Sequence, residues 1–112
     1  MSTISTHVLD TMRGRPARGV EVILHALDAA GVVELGRGRT NEDGRLGDLL
    51  APSATLKAGE YRLTFLTGPW FEAEGIQGFY PRVTIDFTVA ANQHYHVPLL
   101  LSPFGYTTYR GS

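Results

Sequence analysis

The chain has 112 residues, 43% hydrophobic and 19% charged, with a net charge of −1, which describes one domain with apolar material enough for its own core. The near-zero charge argues against nucleic acid held by phosphate neutralisation, and the absence of cysteine excludes disulfides, thiolate zinc sites and cysteine nucleophiles. No apolar run approaches a membrane span and the MSTISTHVLD start lacks a basic, then apolar, leader, so a cytoplasmic protein is expected.

Residues 4–9 alternate as a short strand with Ser5, His7 and Leu9 on one face. Residues 10–19, rich in Gly, Arg and Pro, read as a loop. Residues 20–28 alternate again, with Val20, Val22, Leu24 and Ala26 opposite Glu21, Ile23, His25 and Leu27. Ala29-Ala30-Gly31 is a turn. Residues 32–40 form a third strand in which Gly36 and Gly38 mark a bulge or a close backbone approach. Asn41 to Gly44 is a tight turn whose Asp43-Gly44 pair signals a hairpin, with residues 45–50 as the short strand that follows.

Residues 51–59 are a polar connection with room for one helical turn. Residues 60–67 place Tyr61, Leu63 and Phe65 inward and Arg62 and Thr64 outward. Gly68-Pro69 breaks that strand, and residues 70–75 form the one helix expected, with Pro69 suited to a first helical position and Gly75 to a C-terminal cap. Residues 78–81 are loop. Residues 83–89 point Val83, Ile85, Phe87 and Val89 inward, and Ala90-Ala91-Asn92 turns the chain. In the strand after it, His94, His96, Pro98 and Leu100 oppose Tyr95, Val97, Leu99 and Leu101. Ser102-Pro103-Phe104-Gly105 supplies a turn, and a strand from Tyr106 to Tyr109 follows. Seven or eight short strands with one helix and no βαβ rhythm predict an antiparallel sandwich.

No G-x-S-x-G elbow, H-E-x-x-H helix or phosphate-cradling glycine loop is present. By residue type alone, His7 and His96 are mid-strand histidines of the half-buried kind, His25 is a solvated strand residue, and Arg45 is an edge charge. Asp43 is a turn former. His94 and His96 share a strand face, where two imidazoles can chelate zinc or copper, but no carboxylate or thiolate is near in sequence to complete the set. Ser112 carries a hydroxyl without an adjacent base, which favours substrate orientation over nucleophilic attack.

Tyr95-His96-Val97-Pro98-Leu99-Leu100-Leu101-Ser102-Pro103-Phe104-Gly105-Tyr106-Thr107 resembles the C-terminal signature of the transthyretin superfamily. Tyr109-Arg110-Gly111-Ser112 resembles the tetrapeptide that separates 5-hydroxyisourate hydrolases from transthyretin proper. His7-Val8-Leu9-Asp10, followed by Gly14 and Pro16, and Thr40-Asn41-Glu42-Asp43-Gly44-Arg45 match the same family in the same order.

The resemblance implies a single transthyretin-like domain over residues 1–112, an antiparallel β-sandwich of two four-stranded sheets with a helix after the fifth strand. It implies hydrolysis of 5-hydroxyisourate to 2-oxo-4-hydroxy-4-carboxy-5-ureidoimidazoline in urate breakdown. His7, Arg45 and His96 would be catalytic, and Tyr109, Arg110, Gly111 and Ser112 would bind substrate, with no metal and no cofactor. A homotetramer with sites where two dimers meet is implied as well. Two other classes stay compatible with the sequence: a transthyretin-like protein that binds a small aromatic ligand, and a non-catalytic β-sandwich interaction domain.

Overall fold

The computed structural model describes residues 3–47, 49–50, 56–90 and 93–112. Nine strands and one helix run in the order β1 (Thr3–Asp10), β2 (Arg15–Pro16), β3 (Glu21–Asp28), β4 (Gly31–Arg39), β5 (Arg45–Leu46), β6 (Gly59–Phe65), α1 (Thr67–Ala73), β7 (Val83–Val89), β8 (His94–Ser102) and β9 (Gly105–Thr108). One sheet has the order β2-β1-β8-β9, with β5 also on β1, and the other has the order β4-β3-β6-β7. This is the expected sandwich with its single helix. The two-residue strand β2 lies inside the stretch read as loop.

Period-two alternation explains each layer. In β1, Ile4, Thr6, Val8 and Asp10 are buried while Ser5, His7 and Leu9 are half-exposed. Val22, Leu24, Leu63, Phe65, Val83, Val89, Val97 and Leu99 meet Ile4 and Val8 in one core. The buried polar residues of β1 are paired, as burial demands. Thr6 Oγ1 donates to the Val97 carbonyl at 2.6 Å, and the Asp10 carboxylate accepts from Arg13 Nε at 2.7 Å. Burial alone would raise the Asp10 pKa, but the hydrogen bonds and charge of Arg13 outweigh it and hold the carboxyl below its ordinary range.

One strand pair departs from antiparallel pairing. β1 and β8 run parallel, from Thr3 opposite His94 to Asp10 opposite Leu101. The sequence reading could not see this, because side-chain alternation is the same in either direction. A parallel pair needs a long crossover, and here the second sheet supplies it.

The turn at Asn41 to Gly44 forms but does not make a hairpin. Asn41 Oδ1 accepts from the amides of Asp43 and Arg45 at 2.9 and 3.0 Å, and the Gly44 amide donates to the Asn41 carbonyl at 2.9 Å. The following strand then leaves the second sheet. Val8 donates its amide to the Gly44 carbonyl at 2.7 Å, and β5 pairs with β1, His7 opposite Arg45 and Thr6 opposite Leu46. Gly44 sits at φ 74°, and a Cβ there would lie 2.4 Å from the Val8 carbonyl oxygen. The turn thus commits the chain to β1 before β5 begins, and the strand expected over 45–50 shortens to two residues. In β4 the expected irregularity is present: the register slips opposite Leu24 and His25, and Gly36 lies against the Leu49 carbonyl.

The helix starts three residues earlier than expected, so Pro69 lies inside its first turn, where a missing N–H costs nothing. It ends at Ala73, two residues before the expected end, and Gly75 follows in the turn that closes it, its amide donating to the Glu72 carbonyl while that of Ile76 donates to the Phe71 carbonyl. The helical turn allowed for in residues 51–59 falls largely on residues 51–55, and the turn at Ala91-Asn92 likewise lies outside the described residues. Among the described residues no helix is long and apolar enough to cross a membrane.

Candidate active site

Five side chains of the first sheet with acid–base or hydrogen-bonding capacity share its outer face, opposite the buried Thr6 and Asp10. β1 supplies Ser5 and His7, β8 supplies His94 and His96, and β5 supplies Arg45. Register brings them together: Thr3 is opposite His94, Ser5 opposite His96, and His7 opposite Arg45. The His7 and His96 rings are 6.5 Å apart between centroids, and those of His94 and His96 are 6.4 Å apart and nearly parallel. His7, Arg45 and His96, 38 and 51 residues apart in the chain, thus share one surface.

A cleft of about 300 Å³ opens there, lined by Ser5, Arg45, Leu46, His94, His96 and Ser112 among others. His7 stands beside His96 at its margin. His96 is half-buried and held below the ordinary histidine pKa of 6.5. Desolvation is the largest cause, and electrostatic repulsion, from Arg45 first and then from the neighbouring His7 and His94 imidazoles, adds to it. At neutral pH the imidazole is therefore neutral and able to take a proton, beside a guanidinium able to donate hydrogen bonds.

The chain end is tied to the sheet through His96. The Gly111 amide donates to the His96 carbonyl at 2.8 Å. A Cβ on Gly111 would lie 2.6 Å from His96 Cδ2, so the tail can lie flat on the imidazole only because this residue has no side chain. Arg110 Nη2 donates to Gln93 Oε1 at 2.8 Å, and its guanidinium covers the Tyr95 ring at 4.8 Å from the centroid. Three of the four tail residues divide between two spaces. Ser112 lines the cleft with Arg45 and His96. Tyr109 and Arg110 line a neighbouring, mostly apolar cavity of about 330 Å³ with Phe87 and Tyr95, and His96 borders both.

Ser5 and Thr3 escaped the sequence reading as functional groups. Ser5 Oγ lies 2.8 Å from His96 Nδ1 and 3.1 Å from His94 Nε2, and Thr3 Oγ1 contacts His94 Nδ1. The shared face of Ser5 and His7 was the available signal. Both His94 ring nitrogens are thus engaged by hydroxyls. Among the described residues no group of three or more His, Cys, Asp or Glu is arranged to hold a metal ion. Asp43 stays in its turn, and His25 is on the second sheet, opposite Arg62. It is half-buried rather than solvated, and its Nδ1 is buried without a partner.

The family model described as "HIUase/Transthyretin family" matches residues 4–111. The chain is 47% identical over 114 residues to the Mus musculus protein named 5-hydroxyisourate hydrolase, covering 99% of this chain and 96% of that one. The solved structure of Klebsiella pneumoniae 5-hydroxyisourate hydrolase superposes with a TM-score of 0.88 at 42% identity, covering all of both chains. Sea bream transthyretin in complex with thyroxine superposes with a TM-score of 0.89 at 29% identity, covering 96% of this chain and 93% of that one. With its sandwich, its signature residues and these likenesses in agreement, the chain belongs to the HIUase/Transthyretin family.

Proposed function

We propose that the protein hydrolyses 5-hydroxyisourate to 2-oxo-4-hydroxy-4-carboxy-5-ureidoimidazoline, a step of purine catabolism. The observation that carries this reading is a neutral, half-buried His96 sharing one cleft with the Arg45 guanidinium, on a chain whose relatives bear that activity in their names.

His96 acts as general base through Nε2 and removes a proton from water. The hydroxide attacks the ring carbonyl carbon, and Arg45 donates hydrogen bonds to the carbonyl oxygen as it gains negative charge. A guanidinium suits this task because its planar fork matches a carbonyl and its ring neighbour together. The tetrahedral intermediate collapses with cleavage of the ring C–N bond, and the imidazolium returns its proton to the leaving nitrogen. His7, at the margin of the cleft, holds the ring against His96. Tyr109, Arg110, Gly111 and Ser112 orient the substrate, Ser112 from within the cleft and the other three by fixing the tail across His96. The reaction needs only water, a base and an electrophilic partner, so no cofactor is invoked.

We further assign a homotetramer, with each site covered where two dimers meet. Support comes from the position of the site on an outer sheet face, where a second copy would exclude water. We assign the reaction to the cytoplasm, whose reducing conditions suit a cysteine-free chain.

The test is direct. Purified protein added to freshly made urate oxidase product accelerates the ultraviolet decay of 5-hydroxyisourate; a decay equal to the spontaneous one overturns the assignment.

A further inference from the structure

His94 is exposed, lies outside the reaction just described, and is nonetheless bonded at both ring nitrogens. Thr3 Oγ1 meets its Nδ1, Ser5 Oγ meets its Nε2 at 3.1 Å, and the same Ser5 Oγ meets His96 Nδ1 at 2.8 Å. The four groups form a line from solvent to the cleft: Thr3, His94, Ser5, His96. β1 and β8 build it by register alone, since Thr3 faces His94 and Ser5 faces His96 across the parallel pair.

Ser5 has one hydroxyl proton and two imidazole neighbours, so only one can receive it. If the proton points to His96, Nδ1 accepts, Nε2 of the neutral ring carries the hydrogen, and His96 presents no lone pair to the cleft. If it points to His94 Nε2, Ser5 Oγ accepts from His96 Nδ1–H, and Nε2 is left as a free base. The surroundings of His96 favour the second arrangement. Arg45 lines the same cleft from β5, and its positive charge favours a lone pair over a hydrogen on the ring nitrogen that Ser5 does not engage. His7 on β1, His94 and Tyr95 on β8, and Tyr109 and Arg110 of the tail are the other charged or titratable groups around the ring.

We propose that His94 is a positioning residue: as acceptor of the Ser5 hydroxyl it holds His96 in the Nδ1–H tautomer, with the Nε2 lone pair directed into the cleft. This rests on the reading of His96 as the base, and it extends the machinery to two residues, Ser5 and His94, that touch no reacting atom. The nitrogen that carries the proton on a histidine is set by the bond the other nitrogen makes.

The test is long-range ¹H–¹⁵N correlation of imidazole signals in the substrate-free protein, at a pH where His96 is neutral. Wild type shows His96 Nδ1 as the protonated nitrogen and Nε2 as the bare one. His94→Phe keeps a ring on the strand but offers no acceptor; the Ser5 proton turns to His96, and the two signals exchange character. His94→Gln offers its amide oxygen where Nε2 stood and restores the wild-type pattern. In the decay assay kcat falls by about 10- to 100-fold in His94→Phe, the range known for groups that orient metal-bound histidines. KM stays within about twofold, as expected when an effect is confined to the chemical step, and His94→Gln recovers most of the rate. A wild-type His96 bearing its proton on Nε2, or an unchanged His96 pattern in His94→Phe, overturns the proposal. The spectra need no substrate. A correct tautomer response with full activity in His96→Asn would instead overturn the reading of His96 as base.

Discussion

His96 is the residue on which most of the chemistry converges, and its charge state decides what it can do. Its pKa is depressed in the folded protein, below the unfolded value of 6.5, so the native state binds this proton less well than the unfolded chain does. The sign follows: the stability contribution of the neutral ring is fully present above pH 6.5 and is lost as pH falls through the folded pKa. The acid limb of the rate should likewise lie below pH 6.5, lower than an unperturbed histidine would give. Substituting His96→Asn should cost roughly 10²- to 10⁴-fold in rate, the usual worth of general base catalysis, and should abolish that limb. Arg45→Gln removes a charge that opposes protonation. Its residual rate should show the acid limb moved upward, toward the ordinary histidine value, measured as substrate decay against pH. A limb that stays in place would mean that Arg45 acts on the substrate alone. That His7, Arg45 and His96 lie on one surface was accessible from signature residues, whereas the engagement of Ser5 was not. A serine on a strand face carries no pattern of its own until its cross-strand neighbour is known.

At the scale of elements, two junctions set the site: the β4–β5 turn and the tail that crosses β8. Strand existence was readable from alternation, as in Val83, Ile85, Phe87 and Val89. Strand partnership was not. Asp43-Gly44 looks like a hairpin locally, and only the Val8 amide bonded to the Gly44 carbonyl reveals that the chain changes sheets there. The tail was readable in outline, because Tyr106 and Tyr109 are poor candidates for a loose end. The division of Tyr109 and Arg110 from Ser112 was not. Gly111→Ala places a methyl 2.6 Å from His96 Cδ2, so the tail must lift. A displacement on the order of 1 Å at a reacting group can cost about 100-fold, and a loss of that order is expected with a melting temperature close to wild type. Deleting residues 109–112 should do the same or worse while circular dichroism stays unchanged. A truncated protein with full activity would show that the tail has no part in the reaction.

For the whole molecule, the two-layer core follows from composition and alternation, and the assembly does not. Under the proposed assembly, the face that carries Ser5, His7, Arg45, His94 and His96 would be covered by a second copy. Sedimentation equilibrium should give about four times the 12.2 kDa of one chain. Dilution into monomers should reduce the specific rate, because water would then enter each cleft. A fully active monomer would remove the need for a covering copy.

The parallel pair of β1 and β8 also has a meaning in time. During synthesis, at about 5 to 20 residues per second, β1 emerges before the other strands, yet its central partner follows only after the entire second sheet, His94 lying 91 positions after Thr3. The second sheet, in the order β4-β3-β6-β7, has all its strands in hand before β8 exists. β1 meanwhile lacks the strand that pairs along its whole length. Closing so long a loop is the slow class of folding event. Until β8 is made, the nascent chain therefore holds one sheet of the sandwich and no histidine pair.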